Sequence, residues 1–360
     1  RSARPSPASE GVNELDQRTG AERSGVLCLG STLVDYGKTI DAYPPRDALA
    51  TIEHISRSTG GAAQNMSLDL RRLGAEFPIE LLGCVADDAD GAFILEVCAG
   101  AAIETGRMQV RDGATTAFTD VMVDREGGRR TFFTYLGTNG LLEVDPRELA
   151  DVEARILHVG NLGFHPLMEQ VAADGSSGWS RLLAAARRAG IHTNLELATL
   201  APERLEHVVG PCLPHLSSVI INELEASALT GIAASAPDAD EPVDWATMEA
   251  LALGLIERGV SSLAVVHFPA GAVAATPDGQ VWRQGSVRLA AEQIVSTTGA
   301  GDAFASGVIY GLHEGWTVEA CLRLGAAASA ACIQDAHTSD GIRPVSECLA
   351  LADESGYRPS

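Results

Sequence analysis

One segment of the sequence places small residues and a single acid together at the start of a predicted helix: Val295-Ser-Thr-Thr-Gly-Ala-Gly-Asp-Ala-Phe304. Gly299, Ala300 and Gly301 lack bulky side chains, so their backbone N–H groups can converge on an anion, and the helix N-terminus adds partial positive charge. Asp302 in the first turn could accept a proton from a hydroxyl while those N–H groups stabilise a transferring phosphoryl group. Taken alone, the four residues 299–302 also fit an ordinary helix start whose acid complements the helix dipole.

A second polar pair follows the apolar run at 218–221. Asn222 and Glu225 are three residues apart, which puts both on one face of a helix beginning there. An amide oxygen and a carboxylate suit Mg²⁺, directly or through water, beside a triphosphate. The same two residues at the same spacing also make an N-cap and its capping box, and the residues leave both interpretations open.

A third set of polar and small residues lies near the beginning of the chain. Asp35 follows the first apolar run, and Gly60-Gly-Ala-Ala-Gln-Asn65 precedes a predicted helix. Paired glycines allow a hydroxylated ligand to approach the backbone closely, while Asp35 and Asn65 offer polar anchors for hydroxyl groups. The alternatives are a plain turn for Gly60 and Gly61 and a helix cap for Asn65.

Composition excludes several other kinds of site. The 360 residues carry a formal net charge of −22, and Lys38 is the single lysine. A Walker-type phosphate loop needs Gly-Lys-Ser/Thr and is therefore ruled out, and a Schiff-base lysine is improbable. The acidic balance with no basic run disfavours nucleic acid and anionic membranes as partners. The seven widely spaced cysteines indicate buried thiols in a reducing cytoplasm, and no apolar run reaches the length of a membrane helix.

Apolar strand-type runs alternate with helix-type segments from Val26 onward. This alternation predicts an α/β fold with a largely parallel sheet covered on both faces. Residues 35–59 and 114–136 break the pattern with β-branched, partly alternating runs, and they predict a small antiparallel β lid. Residues 1–24 are polar and predict a disordered tail. The expected strands lie at 26–30, 79–85, 156–159, 218–221 and 263–268, and the expected helices at 64–73, 91–101, 179–189, 245–258, 300–314 and 317–333.

These motifs, in this order, resemble the ribokinase-like (PfkB) carbohydrate kinases over roughly residues 26–345. VSTTGAGDAFASG is similar to the C-terminal signature of that family, and GGAAQN followed by MSLDLRRLG is similar to its N-terminal motif. Asp35 stands where the family has a sugar-binding aspartate. The other matching segments are Asp87-Asp-Ala-Asp-Gly91, Leu136-Gly-Thr-Asn139 and Asn222-Glu-Leu-Glu225.

The resemblance implies a ribokinase-like kinase domain over about 25–355: a doubly wound, mostly parallel sheet with helices on both faces, plus the β lid. It implies ATP-dependent phosphorylation of an alcohol hydroxyl of a sugar-like molecule, with Mg²⁺, in a cytoplasmic homodimer joined through the lids. The site residues it implies fall into four groups. They are Asp302 as general base with Gly299, Ala300 and Gly301 as the anion hole; Asp35, Gly60, Gly61, Asn65 and Asn139 for the substrate; Asn222, Thr298, His267, Gly271, Gly299 and Gly301 for the nucleotide; and Asn222 and Glu225 for Mg²⁺.

The sequence departs from the family pattern at several places. Ser296 replaces an aspartate that helps hold a monovalent cation, and the stretch after residue 333 lacks the usual Gly-Ala-Gln, so a potassium site is not expected. His267-Phe-Pro-Ala-Gly271 replaces the usual nucleotide loop, and Pro269 removes a backbone donor; His267 then fits either a nucleotide contact or a buried structural histidine. Ala62 stands where ribokinase has lysine, which weakens ribose as the substrate. Two alternatives stay open: a nucleoside kinase, whose base would use the lid aromatics Phe118, Phe132, Phe133 and Tyr135, and a non-catalytic ligand-binding relative.

Overall fold

The computed structural model describes residues 23–125, 130–197, 200–235, 239, 241–335 and 339–360. The tail predicted at 1–24 therefore lies outside the described residues except for its last two positions. In chain order the strands are β1 (Val26–Gly30), β2 (Leu33–Ile40), β3 (Ile52–Gly60), β4 (Ile79–Leu82), β5 (Cys84–Ala86), β6 (Gln109–Arg111), β7 (Phe118–Asp124), β8 (Arg130–Tyr135), β9 (Ile156–Leu162), β10 (His192–Leu197), β11 (Ser218–Asn222), β12 (Leu263–Phe268), β13 (Gly271–Ala275) and β14 (Val281–Gly285).

The α-helices, in the same order, are α1 (Ala62–Arg72), α2 (Ala89–Gly100), α3 (Pro166–Glu169), α4 (Gly178–Arg188), α5 (Pro202–Val209), α6 (Glu223–Thr230), α7 (Trp245–Glu257), α8 (Ala300–His313), α9 (Val318–Cys332) and α10 (Val345–Ser355). Several of them begin at side chains that accept a hydrogen bond from an otherwise unpaired N–H group. Asp88 accepts from Gly91 N–H at the start of α2, and Asp244 accepts from Thr247 N–H at the start of α7.

The main sheet has the order β14-β13-β12-β11-β10-β9-β1-β4. The six strands from β12 to β4 are parallel, whereas β13 and β14 continue the sheet as antiparallel strands. Successive side chains of β1 point to opposite faces: Val26 and Cys28 belong to the core beneath α1, α8 and α9, while Leu27 and Leu29 belong to the core beneath α4, α6 and α7. The fold is thus doubly wound, as predicted.

The lid is a separate sheet with the order β3-β2-β7-β8. The pairs β2–β3 and β7–β8 are antiparallel hairpin partners, and the strands correspond to the segments expected at 35–59 and 114–136. The two hairpins join through a parallel pairing of β2 with β7, which the alternation of side chains does not reveal. A two-stranded sheet of β5 and β6 completes the β structure of the described residues.

The main sheet differs from the expectation in its two antiparallel strands, β13 and β14, which were not among the expected strands, and in two details of its parallel part. The single strand expected at 79–85 is divided at Gly83 into β4 and β5, where a Cβ atom would lie 2.7 Å from Thr32 Cγ2. Strand β10, which lies at the centre of the sheet, was not predicted, because its sequence HTNLEL mixes polar residues with two leucines. No helix within the described ranges is both long and apolar enough to cross a bilayer.

Candidate active site

The predicted base and a predicted substrate residue meet directly. Asp302 lies half-buried in the first turn of α8, and Asn65 lies buried in the first turn of α1. Asn65 Nδ2 donates a hydrogen bond to Asp302 Oδ2 at 2.6 Å. The GGAAQN and GAGD segments, more than 200 residues apart in the chain, are therefore one site.

The turn before α8 has the geometry of a helix start open to an anion. Gly299 is the N-cap with φ +83°, a conformation that favours glycine, and no side chain caps the helix. Thr298 N–H donates to Ser296 Oγ at 3.2 Å, which fixes the turn. The N–H groups at the start of α8 thus have no side-chain acceptor in the described structure.

Asp35 lies half-buried on β2, where it pairs with Ser58 of β3, two residues before Gly60. A Cβ atom at Gly60 would lie 2.1 Å from Asp35 Oδ2, so the carboxylate approaches the bare backbone. Burial, followed by the charge of Asp302, raises the pKa of Asp35 to about 7, while Arg130 on β8 opposes this shift. Asp35, Asp302 and Arg130 consequently share one electrostatic environment beneath the lid.

Gly61 has φ +94°, and a Cβ atom there would lie 2.4 Å from the carbonyl oxygen of Ser31. Glycine at this position is required by the close approach of the two backbones, and it sets the path of the chain into α1. Asn139 is 1 % exposed, and its Oδ1 accepts from Thr32 N–H at 3.2 Å. This oxygen therefore holds the backbone that follows β1.

A mostly apolar cleft adjoins the anion-binding turn. Its cavity volume is about 360 Å³, which lies within the range of pockets that bind small ligands such as a nucleoside. The predicted nucleotide residues Asn222, His267, Gly271 and Gly301 all contribute to its wall. Such a cleft at the carboxyl ends of parallel strands is where ligands of open α/β sheets bind.

His267 at the end of β12 lies against the anion-binding turn. A Cβ atom at Gly301 would be 3.3 Å from His267 Cε1, and the imidazole ring is 5.3 Å from the ring of Phe304 between centroids. Burial lowers the pKa of His267 to about 4, so the ring is neutral at pH 7. His267 therefore shapes the cleft without adding positive charge to it.

Asn222 and Glu225 form a reciprocal capping box at the start of α6. Asn222 Oδ1 accepts from Glu225 N–H at 2.8 Å, and Glu225 Oε2 accepts from Asn222 N–H at 3.1 Å. The capping interpretation is thus geometrically correct. Because both side chains already accept a hydrogen bond within the box, the pair fits a hydrated Mg²⁺ better than a metal held directly by both side chains.

Four further polar residues at this site were not predicted. Glu196 on β10 and His158 on β9 are neighbours in the sheet. His158 Nε2 lies 3.5 Å from Glu196 Oε2. Asp69 on α1 is buried and receives a hydrogen bond from Ser306 Oγ at 3.3 Å. Arg358 reaches the cleft wall because its N–H pairs with the carbonyl oxygen of Ser286 at 2.8 Å. For Glu196, the sequence held one usable signal: an acid within the segment HTNLEL. If that segment is a central strand, its carboxylate is buried and needs a reason to be there.

The lid contributes aromatic and charged side chains. Phe118 packs against Tyr36 and Tyr135, with ring centroids 6.2 Å and 5.4 Å away. Phe132, Phe133 and Tyr135 are 53 %, 52 % and 50 % exposed. Three of the four aromatics predicted to contact a base are therefore about half exposed, and Phe118 is more deeply packed.

Comparisons with known proteins bear on the family and the fold of this chain. A family described as "pfkB family carbohydrate kinase" matches residues 23–344. A 5-dehydro-2-deoxygluconokinase of Shouchella clausii is 23 % identical over 336 residues, covering 91 % of this chain and 95 % of that protein. An adenosine kinase of Schizosaccharomyces pombe is 25 % identical over 343 residues, covering 90 % and 93 %. The solved structure of Arabidopsis thaliana ribokinase complexed with ribose and ATP superimposes with a TM-score of 0.75 at 21 % identity, covering 92 % and 98 %.

Proposed function

The chain belongs to the pfkB family of carbohydrate kinases, and we propose that it transfers the γ-phosphoryl group of ATP to an alcohol hydroxyl of a sugar or sugar-like small molecule. The observation that carries this proposal is the contact between Asn65 and Asp302 at the start of α8. It joins a pocket for a hydroxylated substrate to an anion-binding turn and a nucleoside-sized cleft.

In this proposal Asp302 is the general base. As the hydroxyl oxygen attacks the γ-phosphorus, its proton moves to the Asp302 carboxylate, and the bond from the γ-phosphorus to the bridging oxygen breaks to release ADP. Asn65 holds one carboxylate oxygen, which orients the base toward the incoming hydroxyl. The N–H groups of Gly299, Ala300 and Gly301 stabilise the charge on the transferring phosphoryl group.

The substrate is proposed to lie between the lid and the start of α1. Asp35 and Asn65 would bind its hydroxyls, and Gly60 and Gly61 would allow the backbone to approach it. Asn139 contributes by fixing the backbone next to β1, since its oxygen is engaged by Thr32. Measuring ADP release by Asp35→Asn and Asn65→Ala tests these assignments, because loss of a substrate contact should raise the KM for the acceptor.

The nucleotide is proposed to occupy the apolar cleft. His267 and Gly271 would contact the nucleoside, Thr298 would shape the phosphate turn, and Asn222 would lie near the phosphates. Mg²⁺ supplies charge neutralisation of the phosphate oxygens when bound. Of the residues present, Asn222 and Glu225 would hold it through water.

A nucleoside kinase is the second candidate within the same chemistry. The exposed ring of Tyr135 on the lid, 50 % exposed and next to Phe118, favours it, because aromatic rings can stack on a base. A non-catalytic ligand-binding relative is the third candidate. The Asp302–Asn65 contact argues against it, since a protein without turnover does not need an oriented acid at an anion-binding turn.

An ADP-release screen with Mg²⁺ and ATP separates the three candidates. The acceptors are a panel of sugars, keto-acids and nucleosides, and Asp302→Asn is the matched control for contaminating ATPases. Turnover with a sugar or keto-acid that is lost in the control supports the proposal. Turnover with nucleosides alone supports the second candidate, and ATP binding without turnover on any acceptor supports the third.

We further propose that two protomers associate through their lids and that the enzyme acts in the cytoplasm. The lid carries exposed apolar side chains on β3 and β8, including Ile55 at 60 % and Phe133 at 52 % exposure, and a surface of this kind suits an interface. All seven cysteines lie within the described residues as buried thiols without a disulfide, which suits a reducing compartment. Light scattering of the wild type and of Phe133→Ser tests the dimer; an unchanged dimer in the variant would contradict the lid interface.

A further inference from the structure

An acid on α2 holds the lid against the main domain. Asp90 lies in the first turn of α2, and its side chain is 17 % exposed. Two lid residues donate to the same oxygen of this acid: Tyr36 Oη on β2 lies 2.7 Å from Asp90 Oδ1, and Arg57 Nη2 on β3 lies 2.5 Å from it. Because the two donors come from neighbouring strands, Asp90 binds the β2–β3 hairpin as a unit.

Arg57 makes two further contacts with the same helix. Its Nη2 also donates to the carbonyl oxygen of Ala89 at 3.0 Å, and its guanidinium carbon lies 4.1 Å from the centre of the Phe93 ring. A guanidinium over an aromatic face is attracted by the ring, and a carboxylate in the first turn of a helix is stabilised by the helix dipole. Three groups of α2 therefore hold this one lid side chain.

Helix α2 is itself fixed to the segment that leads into β7. Its N-cap, Asp88, accepts from Thr116 N–H at 2.9 Å and from Thr116 Oγ1 at 2.7 Å, and Thr116 lies two residues before β7. Thr116 Oγ1 accepts in turn from Ala86 N–H at 2.9 Å. The start of α2 thus contacts both hairpins of the lid: β2–β3 through Asp90, and the entry to β7–β8 through Asp88.

The strand that Asp90 holds also carries the proposed substrate residue Asp35. Asp35 and Tyr36 are consecutive on β2, so their side chains point to opposite faces of the lid. Tyr36 and Arg57 are direct partners across β2 and β3, which places them on the same face. One face of the hairpin is therefore docked on α2, and the other face carries Asp35.

We propose that Asp90 is a positioning residue: through Tyr36 and Arg57 it holds the β2–β3 hairpin on the main domain and so fixes Asp35 for its contact with the acceptor. Asp90 acts through Asp35 and does not touch the reacting groups. The kinetic consequence rests on the proposed substrate role of Asp35. The attachment of the hairpin to α2 does not depend on turnover.

Two arginine variants separate this role from general support of the lid. Arg57→Met removes the ion pair with Asp90, whereas Arg125→Met removes an exposed ion pair of 2.6 Å with Glu53, which stays within the lid. With the best acceptor from the screen, we expect Arg57→Met and Asp90→Ala to raise the KM for the acceptor about tenfold, with kcat within about threefold and the KM for ATP within about twofold. Arg125→Met should leave all three within about twofold.

A double-mutant cycle supplies a readout that a structural role would not change. Because Asp90 acts through Asp35, Asp90→Ala should raise the acceptor KM about tenfold in the wild type but less than about twofold in Asp35→Asn. A general weakening of the fold would raise this KM by the same factor in both backgrounds, and that result would overturn the proposal. An acceptor KM that is unchanged in both Arg57→Met and Asp90→Ala would also overturn it.

Amide hydrogen exchange keeps this inference separate from the proposed function. Strand β3 is at the edge of the lid sheet, so its protection depends on pairing with β2 and on the attachment of the hairpin to α2. With no acceptor or nucleotide present, exchange in β2 and β3 should be about fivefold faster in Asp90→Ala than in the wild type, and within about twofold of the wild type in Arg125→Met. Equal exchange in Asp90→Ala and the wild type overturns the inference even in an active kinase. Faster exchange in a protein without turnover would support the attachment and contradict the proposed function.

Discussion

Asn65 and Asp302 lie in the first turns of two different helices, α1 and α8, and Asn65 Nδ2 donates a hydrogen bond to Asp302 Oδ2 at 2.6 Å. Helices α1 and α8 pack on the same face of the sheet. Any change that tilts the start of α1 therefore moves a group that orients the proposed base. The glycines before α1 are thus coupled to chemistry at α8.

Gly61→Ala tests this coupling, with Gly74→Ala as the matched control at the other end of α1. Both glycines have positive φ, +94° and +93°, but the added Cβ atom would lie 2.4 Å from Ser31 O at Gly61 and in open space at Gly74. We expect Gly74→Ala to cost about 1 kcal/mol of unfolding free energy and Gly61→Ala about 1–3 kcal/mol more. Only Gly61→Ala should also lower kcat. Equal stability and activity of the two variants would contradict the coupling.

Asp35 predicts a pH dependence of substrate binding. Its pKa is raised to about 7 by burial and by Asp302, so the carboxyl is mostly protonated below pH 6 and ionised above pH 8. Because the ionised form is the stronger acceptor for substrate hydroxyls, kcat/KM for the acceptor should rise with pH through about 7. Asp35→Asn should have a lower kcat/KM without that rise. A wild-type profile that falls over this interval would have the wrong sign for this role.

Asp69 predicts a pH dependence of stability. Burial is the main cause that raises its pKa from 3.8 to about 8, against the lowering effects of the nearby Ser339 hydroxyl and the charge of Arg72. A carboxyl whose pKa is higher in the folded state contributes stability that is complete below pH 3.8 and is lost as pH rises toward 8. We therefore expect the Tm of Asp69→Asn to gain on the wild type between pH 5 and pH 8. Calorimetry at both values checks this, and a constant difference in Tm would argue that Asp69 does not titrate there.

Because Ser296 stands where the family pattern has an aspartate, we expect that activity does not depend on potassium. The Ser296 hydroxyl accepts from Thr298 N–H within the anion-binding turn, where a cation-binding carboxylate would be expected from the family pattern. Turnover should be unchanged when KCl replaces choline chloride at constant ionic strength. Ser296→Asp is the informative variant, since it restores a carboxylate at this position. Strong activation of the wild type by potassium would show that other ligands bind the ion.

The sequence predicted those parts of the site that consist of local patterns. The glycine turn before α8 and the GGAAQN segment before α1 are each contiguous, and small residues at a helix start have few other uses. Their contact across the fold followed only from the resemblance to a family. Asn222 and Glu225 show why one motif supports two interpretations: an amide oxygen and a carboxylate three residues apart suit both a capping box and a metal ion.

The parts that were not predicted depend on long-range burial. Strand β10 has a polar sequence because His192 and Asn194 both form hydrogen bonds with Ser218 on β11, and Glu196 lies 3.5 Å from His158 on β9. Nothing local to HTNLEL reveals those partners. Arg358 likewise reaches the cleft only because the chain end pairs with residue 286, and no pattern near residue 358 indicates it.

In the proposed mechanism, Asp302 accepts the proton of the acceptor hydroxyl. The most direct test compares wild type with Asp302→Asn. It measures kcat with the best acceptor from the screen, and the Kd for ATP by calorimetry. We expect kcat to fall by about 10²–10⁴-fold, the usual contribution of a general base, while the Kd for ATP changes by less than about threefold. Turnover of Asp302→Asn within a few-fold of the wild type would contradict the claim.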